Sequence, residues 1–414
     1  MAQSAVRRLS TPRLFSRGRT FYLLLFTCVL AACDPGKYTL TPSSPLPPSN
    51  PAATSNAYIG TQSPLNWTLA IDDTQHAYSY QSHPIDGSTP ISSSGNFVQQ
   101  GGFLNMGSGG LAIELPGTSA ILRPGDNTTA PVVMVHQENC FPLSGNLRYL
   151  LDGMVPTNSG SYPSPQFYQR GDVVASTSPD GKAWSFENAE YFDFTGSPLT
   201  LTYKNQYTPT TFSGDCSLIN GAAAVSINTS GTYTLPTTFH FSASGMAVVD
   251  YTHTGSAVGF AQPVNPMDTK SLAGANFVGF QVEYSSTTPV LTQPVSFGPA
   301  VDGSVGLSGG IFANDDVTQT ADVSSLFKFG SQSSLINGLF TGATMVVIDP
   351  QGGCATNGVG TGDLGVNSNG VPTCRLHLST VVGQINGEAV LVMSGLDFRT
   401  SNPVSSVQFY LVQQ

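Results

Sequence analysis

The chain has 414 residues, carries 15 Lys and Arg against 25 Asp and Glu for a formal charge of −10, and is only 10% charged, where globular proteins average about 25%. All five arginines of residues 1–32 belong to a segment without acids, so beyond it 15 − 5 = 10 basic residues face 25 acidic ones, a formal charge of −15. Such a surface repels polyanions, which argues against nucleic acid and anionic lipid headgroups as partners.

Residues 1–32 read as an export signal. Arg7, Arg8, Arg13, Arg17 and Arg19 precede an uncharged apolar run from Phe21 to Ala32. That run is about a dozen residues, short of the roughly 20 that span a bilayer as a helix. Arg7-Arg8 lies too far before the run for a twin-arginine signal and counts as general basic charge. The run ends in Leu30-Ala31-Ala32-Cys33, which resembles the lipobox of bacterial lipoproteins. The resemblance implies that the chain is cut before Cys33, that Cys33 is thioether-linked to diacylglycerol and that its new amino terminus is acylated.

Residues 33–57 hold prolines at 35, 42, 45, 47, 48 and 51 among Ser, Thr, Asn and Ala, with no apolar periodicity. Such a segment cannot bury enough surface to fold and is expected to act as a disordered, semi-rigid spacer of ~60 to 70 Å, at about 3.1 Å per residue. Asp34 resembles the enterobacterial signal for retention at the inner membrane. Localisation is therefore the cell envelope, at the outer membrane or the periplasmic face of the inner one.

From Tyr58 onward apolar residues recur with period two between turn signals. Trp67–Ile71 with Ala77–Tyr80, Val173–Ser176 with Ala183–Phe186, and Thr238–Phe241 with Met246–Asp250 read as hairpins. Val381–Ile385 and Glu388–Met393 flank Asn386-Gly387, the strongest short-range hairpin signal. The reading is all-β: an antiparallel, hairpin-rich body of two β-barrel or β-sandwich domains. Ala57-Tyr-Ile-Gly-Thr-Gln62 is echoed by Asn276-Phe-Val-Gly-Phe-Gln281, with part of it again in Phe340-Thr-Gly342. The two full copies divide the body into residues 58–267 and 268–414, and a glycine two residues after an aromatic suits a bent barrel strand.

Apart from Cys28 in the signal and Cys33, four cysteines remain, an even number that fits two disulfides in an oxidising compartment. Proximity pairs Cys354 with Cys374, leaving Cys140 with Cys216.

Candidates for chemistry are few. Ser178-Pro-Asp-Gly-Lys-Ala-Trp184 resembles the Asp-box of sialidase-type propellers, one residue short, and reads as a turn with Trp184 packed inward. Gly306-Leu-Ser-Gly-Gly310 matches the Gly-x-Ser-x-Gly elbow, with Asp349 and His377 following in hydrolase order, but the elbow needs a strand turning into a helix and none is predicted here. The six histidines lack metal-ligand spacing; His240 and His253 read as an ordinary half-exposed pair across a hairpin. Asp349, Asp363, Asn367 and Asn369 could hold calcium, but their spacing departs from the EF-hand and favours a solvated loop. Tyr162, Phe167, Tyr168, Tyr191, Phe192 and Phe194 could form a glycan-binding face and read more simply as packing.

The Tyr58-Ile-Gly60 opening, Arg123-Pro-Gly-Asp126, Asn314-Asp-Asp-Val-Thr-Gln-Thr320 and the closing Phe409-Tyr-Leu-Val-Gln-Gln414 resemble a family of uncharacterised betaproteobacterial lipoproteins over much of the exported chain. The resemblance supplies no activity. The sequence thus points first to a lipid-anchored binding or interaction module for a glycan or protein ligand, then to a structural envelope lipoprotein, and last to an envelope hydrolase. No catalytic residue, metal ligand or cofactor is assigned.

Overall fold

The computed structural model describes residues 56–414 except 63–64, 85–86, 155–167, 196–199, 205–209, 228–237, 252–254, 273–274, 285–290, 300–305, 313–314, 318–320, 322, 335–336, 349–363 and 398–404. The signal segment, Cys33 and nearly all of the spacer lie outside the described residues. The body beyond them belongs to one compact unit.

The body is almost entirely antiparallel β-structure, and its strands fall into three consecutive groups. The first holds β1 (Asn56–Gln62), β2 (Leu65–Asp72), β3 (Ala77–Pro84), β4 (Ser92–Asn96), β5 (Val98–Gln100), β6 (Phe103–Asn105), β7 (Gly110–Leu115), β8 (Ser119–Pro124) and β9 (Val132–His136). The second holds β10 (Leu147–Met154), β11 (Tyr168–Thr177), β12 (Ala183–Thr195), β13 (Thr200–Lys204), β14 (Thr210–Ile219), β15 (Ala222–Ile227), β16 (Thr238–Phe241), β17 (Met246–Tyr251) and β18 (Gly255–Ala261). The third holds β19 (Phe277–Tyr284), β20 (Leu291–Pro299), β21 (Gly306–Ile311), β22 (Val323–Lys328), β23 (Ser331–Gln332), β24 (Leu339–Ile348), β25 (Leu364–Val366), β26 (Pro372–Ile385), β27 (Glu388–Asp397) and β28 (Ser405–Gln413). A single helical turn, α1 (Thr269–Leu272), lies in the connection between the last two groups, as does residue 268.

Each group is an up-and-down meander that returns to its start: β1 pairs with β9, β10 with β18, and β19 with β28. The second and third rings close completely, through β11 with β12 and through β24 with β26. In the first, β4 pairs with β3 and β5 with β6 at opposite ends of the sheet, yet the two are separated only by buried Phe97. They are one bent strand that changes partner, and it rolls the sheet into a barrel. The result is three barrels of about eight strands, a size whose interior side chains just fill.

The interiors follow from the alternation of side chains along a strand. Trp67, Leu69 and Ile71 of β2 and Tyr78 and Tyr80 of β3 fill the first barrel. In the second, Trp184 stacks on Phe241 with centroids 4.4 Å apart, and Phe186 on Phe239 at 4.8 Å. Phe277, Phe297, Phe327 and Phe409 are among those filling the third.

A shared position explains the Gly echo. A Cβ on Gly60 of β1 would stand 2.5 Å from the Val133 carbonyl oxygen of β9, and one on Gly279 of β19 1.9 Å from that of Tyr410 on β28. Gly153 of β10 meets the Ser256 oxygen of β18 in the same way, at 2.4 Å. In each barrel a glycine on the first strand lets the last strand approach, and a methyl group there would force the closing pair apart.

The barrels share a core on their outer faces. Ile113, Ile121, Val133 and Val135 of the first pack with Leu150, Val248 and Phe260 of the second and Phe280, Val390 and Val392 of the third. Strands buried on both sides read as unbroken apolar runs, such as Val132-Val-Met-Val135.

Polar latches cross the same junction. Arg123 on β8, 2% exposed, donates both terminal nitrogens to Asp315 at 2.6 and 2.8 Å, and its guanidinium lies 5.9 Å from the centre of the Phe280 ring. Arg123 and Asp315, one from each of two stretches noted in the sequence, therefore meet across 192 residues. Between the second and third barrels Ser394 donates to the buried Asp152 carboxylate and receives the Gln408 amide at 3.2 Å.

Cys140, in the connection after β9, forms a disulfide with Cys216 of β14. Cys374, buried in β26, is also disulfide-bonded, while Cys354 lies outside the described residues. The Asn386-Gly387 turn joins β26 to β27 with φ of 53° and 93°, as a two-residue hairpin of this type requires. No helix among the described residues is long and apolar enough to cross a membrane.

Candidate functional site

The outer face of the first barrel is sealed only in part. Strands β1 and β7–β9 turn apolar side chains into the shared core, while β2–β4 turn Thr68, Ala70, Ser79, Gln81, His83, Ser92 and Ser94 outward. The strand register sets these side chains in rows: Thr68 is opposite Gln81 and Gln81 opposite Ser92; Ala70 is opposite Ser79 and Ser79 opposite Ser94.

One wall of this face comes from the second barrel. The chain leaving β9 is held on both sides, Gln137 N–H donating to the Ala57 carbonyl at 2.7 Å and Ala223 N–H to that of Glu138 at 2.7 Å. This brings the Asn220-Gly221 turn between β14 and β15 over the face, with both residues at positive φ, 51° and 83°. Gln137 and Asn220 thereby border an open, shallow cleft of about 680 Å³.

Among the described residues, the cleft lining contains no carboxylate, lysine or arginine. His83 Nε2 lies 3.0 Å from Thr68 Oγ1, and burial lowers the imidazole pKa from its ordinary value, which favours the neutral ring. The side chains of Tyr80 and Leu69 point into the barrel; Tyr80 Oη donates to the Gly109 carbonyl at 2.9 Å.

A titratable cluster closes one end of the same barrel. Tyr58 Oη and Asn56 Nδ2 donate to Glu114 Oε1 at 2.5 and 2.9 Å, and Gly117 N–H donates to Tyr58 Oη at 3.1 Å. Burial, joined by the negative charge of Asp73 and a hydrogen bond shared with it, pushes the Glu114 carboxyl up to about 7. Burial first, and then the Glu114 charge, raises the Tyr58 phenol as well. His136 packs edge-on against the Tyr58 ring at 5.8 Å.

The residues singled out in the sequence fall elsewhere. Ser308 sits within β21, opposite Gly298 of β20 and Leu326 of β22, so its Gly-x-Ser-x-Gly frame is extended strand rather than a turn into a helix. His377 is on β26, three strands from β21 by way of β22 and β24. At ~4.8 Å per strand that is roughly 14 Å, beyond hydrogen-bond reach. Asp349, His253, Tyr162, Phe167, Cys354 and Asp363, and the side chains of Tyr168, Tyr191, Phe192 and Phe194, lie outside the described residues.

Asn367 Oδ1 accepts the Asn369 and Val371 amides at 2.9 Å each and so closes a turn. No group of three His, Cys, Asp or Glu that could hold a metal occurs among the described residues. Ser178–Trp184 forms a hairpin turn: Ser178 Oγ donates to Asp180 Oδ1 at 2.6 Å, and buried Trp184 donates Nε1–H to the Gly181 carbonyl at 2.9 Å.

His240 corrects the expectation of a half-exposed side chain. It is fully buried, because the outward face of β16 lies under the rest of the body, and Nδ1 is 3.2 Å from the Ala223 oxygen. Burial holds it at a pKa of about 4.

The cleft residues escaped the sequence reading. Two signals were present: the alternation of Tyr78 and Tyr80 with polar Ser79, Gln81 and His83, and the Asn220-Gly221 pair, which marks a hairpin turn as Asn386-Gly387 does.

No protein-family model and no curated protein matches the chain. Among solved structures it is similar to a double mutant of the vaccine antigen transferrin-binding protein B from Haemophilus parasuis Hp5. The match has 9% identity and a TM-score of 0.26, and covers 85% of this chain and 66% of that one. A single mutant of the same antigen matches at 9% identity and a TM-score of 0.25, over 84% and 66% of the two chains. This chain thus spans just under two thirds of the length of either.

Proposed function

We propose that the chain is a lipid-anchored envelope binding module: Cys33 carries the diacylglycerol, residues 33–57 hold the body off the membrane, and the open face of the first barrel meets the ligand. The observation that carries this reading is the cleft of about 680 Å³ on a sheet whose other half is sealed by apolar packing. The barrel interiors are filled with aromatic and aliphatic side chains, which puts the ligand outside them. The second disulfide of the proposal is Cys354 with Cys374.

The same filled interiors favour one other reading, a structural envelope lipoprotein. A photo-crosslinking residue placed at Gln81 in the full-length protein in living cells separates the two, with the exposed strand residue Gln384 of the third barrel as control. A defined adduct from position 81 and none from 384 is expected. No adduct at 81, or equal capture at both, overturns the binding reading in favour of the structural one.

A further inference from the structure

Building on the cleft as ligand site, we infer that its ligand is a neutral oligosaccharide, held by the hydroxyl and amide side chains of β2–β4 against Gln137 and Asn220. The pleat sets the spacing of these groups. Neighbouring strands lie ~4.8 Å apart and same-face residues roughly 7 Å apart along a strand. Thr68, Gln81 and Ser92 therefore form one row of hydrogen-bonding groups, and Ser79 with Ser94 a second, across a short strip of surface. Hydroxyls both donate and accept, and carboxamides offer both functions side by side. Their complement is a ligand that also carries closely spaced groups of both kinds, as the ring hydroxyls of a sugar do.

The other ligand classes fit less well. An anion or cation would lose its hydration without gaining a counter-charge, since no ionised side chain among the described residues lines the cleft. Anions are further opposed by the formal charge of −15 of residues 33–414, from 10 basic and 25 acidic residues. An apolar ligand would find only Ala57 and Ala70 as apolar side chains, because Leu69 and Tyr80 turn theirs into the barrel. An extended peptide docks by pairing its backbone with a free sheet edge. The cleft floor on β2 and β3 is a sheet face whose backbone is paired on both sides. Only β4, the end strand of the sheet, offers an edge, and a peptide paired there would leave the side chains of β2 and β3 unused. His83, favoured as the neutral imidazole and within reach of Thr68, belongs to this uncharged set.

Among the described residues no Phe, Tyr or Trp ring faces the cleft as a stacking platform, so single contacts are weak and a polymer that repeats the contact is the suitable probe. The test is affinity electrophoresis of the full-length protein in detergent through gels containing dextran, pullulan, galactomannan or glycogen, with alginate and polygalacturonate as acidic counterparts. At least one neutral polymer is expected to retard the protein and the acidic ones are not. Ser79→Ala and Gln81→Ala should each weaken that retardation about tenfold, or 1.4 kcal/mol, with unchanged unfolding midpoints, while Gln384→Ala leaves it intact. Retardation by none of the neutral polymers, equal retardation by the acidic ones, or indifference to both cleft substitutions overturns the inference. If the polymers fail while position 81 still captures a protein or peptide in cells, the sugar class falls and the binding reading stands. If both fail, the cleft is not a ligand site.

Discussion

The two halves of the first barrel's outer face are made by one sheet, with one pleat and one interior, and differ only in what lies outside them. On β7–β9 the outward residues include Leu111, Ile113, Ile121, Val133 and Val135, all five buried under the neighbouring barrels, together with the buried Arg123 that reaches Asp315. On β2–β4 they are Thr68, Ala70, Ser79, Gln81, His83, Ser92 and Ser94, and these line an open cleft. The inward residues are predominantly apolar or aromatic in both halves, with Ser82 and Glu114 as exceptions. The barrel's own stability thus explains the inside, whereas the outside records neighbours: mostly apolar where another barrel is packed, and uncharged but hydrogen-bonding where the face is open.

The largest effect should come from the covered half. Asp315→Asn keeps a residue that tolerates the local φ of 60° but leaves the Arg123 guanidinium buried without its counter-charge. A loss of about 3 to 5 kcal/mol in urea unfolding is expected, with much of it recovered when Arg123→Met is added. A loss below that of an ordinary surface substitution would mean that the first and third barrels do not depend on this pair.

A matched pair of truncations compares the two halves directly. Val133→Ala should cost about 2 kcal/mol, because it removes buried methyl groups from the shared core. Ser79→Ala should stay within about 0.5 kcal/mol. Equal losses would show that the open face is packed against something as firmly as the sealed one.

A pH-dependent effect belongs to the barrel end where Glu114 meets Tyr58, Asn56 and Asp73. The Glu114 carboxyl is raised from 4.5 to about 7 in the folded chain, so protonation favours folding. Its contribution is complete below about 4.5 and is lost as pH rises through about 7. Thermal unfolding across that window should show a decline that Glu114→Gln flattens; an unchanged slope would remove Glu114 as its source.

Much of the fold was legible locally. The four hairpins read from the sequence are β2–β3, β11–β12, β16–β17 and β26–β27, because turn chemistry and period-two alternation act over a few residues. The Gly60 and Gly279 echo marked first strands of barrels, but Gly153 does the same work in β10 without an aromatic two residues before it, so the second barrel carried no matching sign. Closure itself was not legible, since β10 meets β18 across roughly a hundred residues and the bend at Phe97 makes sense only once both its partners are in place.

The candidate site divides similarly. The polar alternation of β3 could be read as a solvated face, but nothing local says that Gln137 and Asn220 will wall it. The same holds for burial of His240 and for the meeting of Arg123 with Asp315, which depend on how barrels pack and not on their strands.

Cysteine labelling in place reads whether the open half of the first barrel is a binding face in use. Full-length Gln81→Cys and Gln384→Cys variants would each be treated with a small maleimide in intact envelopes and again after purification in detergent. A ligand in the cleft predicts that position 81 reacts more slowly in the envelope than after purification, while position 384 reacts equally in both. Equal rates at position 81 in the two settings would contradict the account, because the face would then be as open in its native surroundings as it is alone.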